Sequence, residues 1–270
     1  MPRSLTAYNW RYFFARFIFY YLLITVVVYF ASDILIFPVS KSSYQDIPQA
    51  LTFKADDETT LIALFLKNPK AKYTILYSHG NAEDLGDILP FLKEYSENGF
   101  SIFAYDYHGY GKSEGRPSEN KSYLDIQAAY RYLTGTLGIS PKYIILHGRS
   151  IGTGPTIDLA AKTKVAGVIL ESPMLTAFRV ITNISLFPVD KYENNKKIKG
   201  IKAPILFIHA KKDEIIPFWH GQALFDLAEN KKRFYLVEEA GHNDLVEIAG
   251  KHYWQNIINF ADSLPTSASN

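Results

Sequence analysis

Cysteine is absent from the 270 residues. Its absence excludes disulfides, thiolate metal sites, a cysteine nucleophile and S-acylation of this chain. An excess of charge of one sign is lacking too. The 29 Lys and Arg stand against 27 Asp and Glu, and no basic run interleaves with aromatics, so nothing points to a nucleic-acid partner. No internal repeat is found. Apolar residues make up 47% and charged residues 21%, a globular balance that excludes wholesale disorder. The length suffices for one large domain or two small ones, and for a sizeable core.

What is present begins with a long apolar run. Phe17 to Ala31 contains no charge, and counting back to Tyr12 gives 20 residues with Arg16 near one edge. About 20 apolar residues cross a hydrocarbon core of roughly 30 Å, and a long Arg side chain near the end reaches the headgroups. Trp10, Tyr12 and Tyr29 sit where interfacial aromatics belong. Tyr29 before Ala31 and Phe30 before Ser32 make poor cleavage sites, so the segment is expected to remain as an anchor. The expected division is 1–11 as a cytoplasmic N-terminus, 12–31 as a transmembrane anchor and 32–49 as a linker, followed by a folded domain over 50–263 and a tail over 264–270. Arg3, Arg11 and Arg16 precede the apolar run and Asp33 follows it. The positive-inside rule then sends the folded domain across the membrane, to a periplasmic, lumenal or extracellular side.

The body alternates strand and helix signals. "ALTFKADD" and "TTLIALFLK" read as an antiparallel hairpin. "YTILYSHG", "FSIFAYDYHG", "KYIILHG", "VAGVILES", "APILFIHA" and "RFYLVEEA" are continuously apolar strands, separated by helical stretches, as in a parallel sheet covered on both faces. A single helix is expected over Val246–Asp262. The pattern predicts an α/β fold with a mostly parallel eight-stranded sheet. About 30 residues between "VILES" and "APILFIHA" leave room only for a short cap. Its apolar residues, including Met174, Leu175, Phe178, Ile181, Ile184 and Leu186, are expected to line an acyl groove.

Gly148-Arg149-Ser150-Ile151-Gly152 is G-x-S-x-G between a strand and a helix. That is the nucleophile elbow of the α/β-hydrolase fold, where a strained turn lifts a serine hydroxyl clear of the sheet. A serine nucleophile needs a base and an acid that orients it, in the chain order Ser, acid, His. His242, just after the last strand, is the expected base. Asp213, after the preceding strand, is the expected acid, with Glu171 as its rival and Glu214 adjacent. The oxyanion hole is expected from the backbone N–H groups of Ile151 and of Asn81 in "HGNA". "GYGKSEG" is not a phosphate loop, because Asp106 stands where the first glycine would have to be.

"SHGNAEDLGD", "YDYHGYGKSEGRPSE", "GISPKYIILHGRSIGTGPTIDLA", "KKDEIIPFWHG" and "EEAGHND" resemble the membrane-associated α/β-hydrolase-domain serine hydrolases that include protein depalmitoylases. The resemblance implies Ser150, Asp213 and His242 as a triad, with no metal or organic cofactor. The depalmitoylases carry an acylated N-terminal cysteine cluster, and here an apolar helix takes its place. The expected activity is cleavage of carboxylic esters or thioesters of acyl or lipid-like substrates at a membrane. Alternatives are an aminopeptidase-like serine peptidase, or a protein depalmitoylase if the domain faces the cytosol.

Overall fold

A computed structural model describes residues 5–265. Arg3, invoked above for orientation, and residues 266–270 of the expected tail lie outside the described residues. The first element is α1 (Leu5–Ile36), and Trp10–Ile36 within it is long and apolar enough to cross a membrane. The helix continues past Ala31 because "SDILI" offers no glycine or proline to stop it. From Trp10 onward most of its side chains are exposed, but Thr25 and Ser32 are buried, and Phe37, just after the helix, enters the core. Lys191 pairs with Asp33 at 3.2 Å and lies over the Tyr29 ring.

The eight strands β1 (Ala50–Lys54), β2 (Thr60–Leu66), β3 (Thr74–Ser78), β4 (Ser101–Tyr105), β5 (Ile144–Arg149), β6 (Gly167–Glu171), β7 (Ile205–Ala210) and β8 (Lys232–Val237) form one sheet, ordered β1-β2-β4-β3-β5-β6-β7-β8. β1 and β2 pair antiparallel, β2 joins β4 antiparallel, and all later pairs are parallel. Helices α2 (Leu85–Glu97), α3 (Glu119–Arg131), α4 (Thr153–Lys162), α5 (Ala177–Thr182), α6 (Asn194–Lys197), α7 (Trp219–Leu227), α8 (Leu245–Ala249) and α9 (Lys251–Asp262) follow the strands. Two apolar layers result. Ile126, Ile157 and Leu224 of α3, α4 and α7 pack on one face of the sheet. Leu92, Tyr95, Tyr253 and Ile257 of α2 and α9 pack on the other. This is the expected α/β-hydrolase architecture.

Two local features depart from the sequence pattern. The single helix expected over Val246–Asp262 is broken at Gly250, whose φ of 50° is left-handed and redirects the chain between α8 and α9. The residues read as a linker are also tied to the domain. The Ser43 N–H donates to Asp84 Oδ2 at 2.7 Å, and Tyr44 Oη donates to the buried Asp106 at 2.5 Å.

Candidate active site

The site collects at the carboxyl ends of the central strands, where an open α/β sheet leaves a crevice. β5 ends at Arg149, and Ser150 turns with φ of 54°, a left-handed conformation that costs a non-glycine residue about 1–3 kcal/mol. The two glycines make that turn possible by close approach. A methyl on Gly148 would stand 2.5 Å from Thr156 Oγ1, and one on Gly152 would stand 2.6 Å from the His79 carbonyl oxygen. Strand β5, helix α4 and the loop after β3 can meet only if both positions lack a side chain.

Asp213 lies in the turn after β7, where its Oδ1 accepts from the N–H groups of Ile215 and Ile216 at 3.0 and 2.7 Å. Burial would raise its carboxyl. Hydrogen bonding with His209, His242 and the Ile216 amide outweighs burial and holds it well below the usual carboxylate range. His242 lies in the loop after β8. Its backbone N–H donates to Glu214 at 3.1 Å, so that carboxylate steadies the loop. His242 Nδ1 is 2.8 Å from Asp213 Oδ2, and its Nε2 is 3.1 Å from Ser150 Oγ. The structure thus brings Ser150, His242 and Asp213 into one hydrogen-bonded line, with all three side chains largely buried.

Glu171, the sequence rival to Asp213, is turned elsewhere. Its carboxylate accepts from Tyr253 Oη at 2.6 Å and pairs with Arg149 Nε at 3.3 Å. The Asn81 side chain is engaged with the end of α1 and with the loop after β4: Nδ2 donates to the Ile36 carbonyl at 2.6 Å, and Oδ1 accepts from Tyr110 Oη at 2.6 Å. Its place in an oxyanion hole would therefore be through its backbone N–H, beside that of Ile151 at the first turn after Ser150. Three other histidines make buried contacts within the fold. His108 is held by Asp125 and Asp57, His147 meets Tyr95 Oη, and His220 Nδ1 accepts the Leu175 N–H. No cluster of metal-ligating side chains is found among the described residues.

Arg149 was not singled out by the sequence, although it occupies the first variable position of the elbow. Register places it beside Glu171 across β5 and β6. It also pairs with Glu83, whose Oε2 accepts the Gly80 N–H at 2.8 Å, and its Nη2 donates to Asn243 Oδ1 at 3.2 Å. One guanidinium therefore ties the loop after β3 to the loop carrying His242. The expected acyl groove under the cap is not formed as anticipated. Met174 and Leu175 are buried in the core, while Ile181, Ile184 and Leu186 point outward. A cavity of about 730 Å³ does open beside His242, but Arg149, Glu171, Phe91 and Trp254 line it, and the cap residues do not.

Known proteins supply the family. Residues 69–187 match the model described as serine aminopeptidase, S33. The human alpha/beta hydrolase domain-containing protein 17B is 40% identical over 215 residues, covering 78% of this chain and 74% of that protein. The Xenopus tropicalis protein of the same name is 45% identical over 188 residues, 68% of this chain; the match spans only 65% of that relative's length. Among solved structures, an esterase of Pyrococcus furiosus superposes with a TM-score of 0.73 at 16% identity, covering 84% of this chain and 98% of the esterase. An alpha-beta serine hydrolase homologue from Coxiella burnetii gives 0.65 at 18% identity, covering 81% of this chain and 99% of that one. These two likenesses concern the fold. The sequence match to the human protein places this chain: it belongs to the serine-hydrolase family of alpha/beta hydrolase domain-containing protein 17.

Proposed function

We propose that this chain is a membrane-anchored serine hydrolase that cleaves carboxylic esters or thioesters through an acyl-enzyme on Ser150. The observation that carries the proposal is the Ser150–His242–Asp213 line, with 3.1 Å on the serine side and 2.8 Å on the aspartate side. His242 Nε2 takes the hydroxyl proton as Ser150 Oγ adds to the acyl carbonyl. Asp213, kept ionised, holds Nδ1–H and stabilises the imidazolium. The backbone N–H groups of Ile151 and Asn81 receive the oxyanion, each worth roughly 3–4 kcal/mol in the transition state. Collapse expels the alcohol or thiol with the proton from His242. Water then enters, gives a proton to His242 and attacks the ester, and the carboxylic acid leaves as the proton returns to Ser150. No step calls for a cofactor.

The test is a panel of acyl esters and thioesters of increasing chain length, run beside a fluorophosphonate label and a Ser150→Ala control. Wild-type turnover by Ser150→Ala would end the proposal. The family model named for aminopeptidases favours a second reading, a peptidase with the same machinery. Faster cleavage of aminoacyl amides than of acyl esters would select it.

The charge pattern supports placing the amino terminus in the cytoplasm and the catalytic domain on the opposite side. Arg11 and Arg16 lie toward the start of α1 and Asp33 toward its end. Proteolysis of intact cells tests this. Protection of the domain until the membrane is broken would reverse the orientation and make cytosolic S-acyl proteins the leading substrates.

A further inference from the structure

The cap carries an apolar ridge that the proposed chemistry does not use. Between Arg179 and Asp190 there are ten residues without a charge. Among them Ile181 is 85% exposed, Ile184 60% and Leu186 49%, a concentration that water would not favour on a free surface. The ridge lies against α1. Tyr21 Oη donates to the Leu186 carbonyl at 2.8 Å, and the Tyr21 and Phe187 rings stack at 6.3 Å. Tyr21 belongs to the charge-free run, about 22 Å of helix before Ile36. The cap therefore runs beside the half of α1 nearest the domain.

The backbone of the ridge carries a second sign. An irregular segment at membrane depth needs its carbonyls satisfied from within the protein. Thr182 Oγ1 reaches the carbonyls of Phe178 at 3.0 Å and Ile184 at 2.6 Å, Ser185 Oγ reaches that of Phe187 at 3.3 Å, and Tyr21 covers that of Leu186. Three hydroxyls thus serve four carbonyls, Thr182 sharing its single proton between two, while the neighbouring apolar side chains are exposed.

We infer that the ridge Ile181–Val189 is a second membrane contact, seated in the leaflet that adjoins the catalytic domain and continuous with the surface of α1. The inference rests on α1 being a membrane anchor. It also assigns the route of the substrate. The end of α1 is bonded to Asn81 in the loop expected to hold the oxyanion, so the mouth of the site opens at the bilayer surface. A lipid-borne acyl chain enters sideways from that leaflet, and the substrates are acyl groups already embedded in a membrane.

The lack of native cysteine makes the test direct. Full-length Ile184→Cys, Ile24→Cys and Lys202→Cys variants, each carrying an environment-sensitive fluorophore, are reconstituted into phosphatidylcholine nanodiscs with or without spin-labelled lipid. Position 24 reports on the anchor, and the exposed Lys202, just before β7, reports on the opposite end of the sheet. The label at 184 is expected to be quenched several-fold more than that at 202, as is the label at 24. Quenching at 184 equal to that at 202, with 24 strongly quenched, would overturn the ridge while leaving the anchor standing. Quenching of neither 184 nor 24 would remove the anchor and the inference together. As a second readout, Ile181→Ser/Ile184→Ser/Leu186→Ser should keep its rate on a soluble short-chain ester within about twofold and lose about tenfold on a bilayer-embedded acyl ester. Equal loss on both substrates would count against the inference.

Discussion

Replacing Arg149 by methionine removes a cation from between two carboxylates while keeping an apolar stem of similar reach. Glu171 is 1% exposed and Glu83 24%, so only Glu83 can recover hydration. Burial alone would raise the Glu171 carboxyl; His147, Arg149 and Tyr253 together hold it below its ordinary range. Breaking a buried pair from one side costs about 3–5 kcal/mol, because the remaining charge stays buried without its partner. Arg149→Met should therefore lose about that much unfolding free energy in urea titrations of the detergent-solubilised chain, read through Trp219 and Trp254. Arg149→Met/Glu171→Gln should recover about 2–3 kcal/mol relative to the sum of the single losses. The sign with pH follows. A Glu171 whose folded pKa is depressed stabilises above the unfolded value and loses that contribution as pH falls, so the gap between wild type and Arg149→Met narrows in acid. A loss under about 1 kcal/mol, or strict additivity in the cycle, would refute the view that one guanidinium holds this corner together.

Ser150→Ala and His242→Ala should each lower turnover by about 10⁶ on a simple ester, and Asp213→Asn by less, measured with purified protein; near-equal small losses would contradict a cooperative unit. Gly152→Ala should cost about 1–3 kcal/mol by thermal or urea unfolding, because its methyl meets the carbonyls at the end of β3; a neutral result would mean that the elbow is not tightly packed. Burial drives the Asp106 carboxyl up to about 6 against lowering by His79, Tyr44 and the Leu85 amide, so the folded state holds its proton where the unfolded chain has lost it. As pH falls from 7.5 to 4, wild type should gain roughly 2 kcal/mol relative to Asp106→Asn, and parallel pH profiles for the two would sink this assignment.

The sheet was legible because each parallel strand is an unbroken apolar run ended by glycine or a polar turn. The elbow was legible because its spacing is imposed by backbone crowding at Gly148 and Gly152. His242 and Asp213 could be nominated from chain order and from their places after the last two strands, although chain order alone left Glu171 as a rival to Asp213. Three things were not legible. The break at Gly250 depends on a single positive φ inside an otherwise helical pattern. The outward direction of Ile181 and Ile184 depends on what α5 packs against, and apolar composition alone suits a groove and an exterior ridge equally well. Arg149 fell in a variable position of a motif, and its importance arises from register with Glu171 and from two loops far away in sequence.

The wide separation of the reactive groups along the chain has a consequence for biosynthesis. Ser150 and His242 are 92 residues apart, and Tyr253, one of the partners of Glu171, lies near the end of the domain. At ordinary ribosomal speeds, the stretch between serine and histidine takes roughly 5–18 s to emerge. The apolar α1 is made first, and as the proposed anchor it would reach the bilayer long before. On the proposed reading, the nascent chain would for that interval be held at the membrane with Ser150 made and no base to activate it. If Ser150 is the nucleophile and His242 its base, the enzyme would stay inert until translation is nearly complete, and lipids around the insertion site would be spared while the protein is still being built.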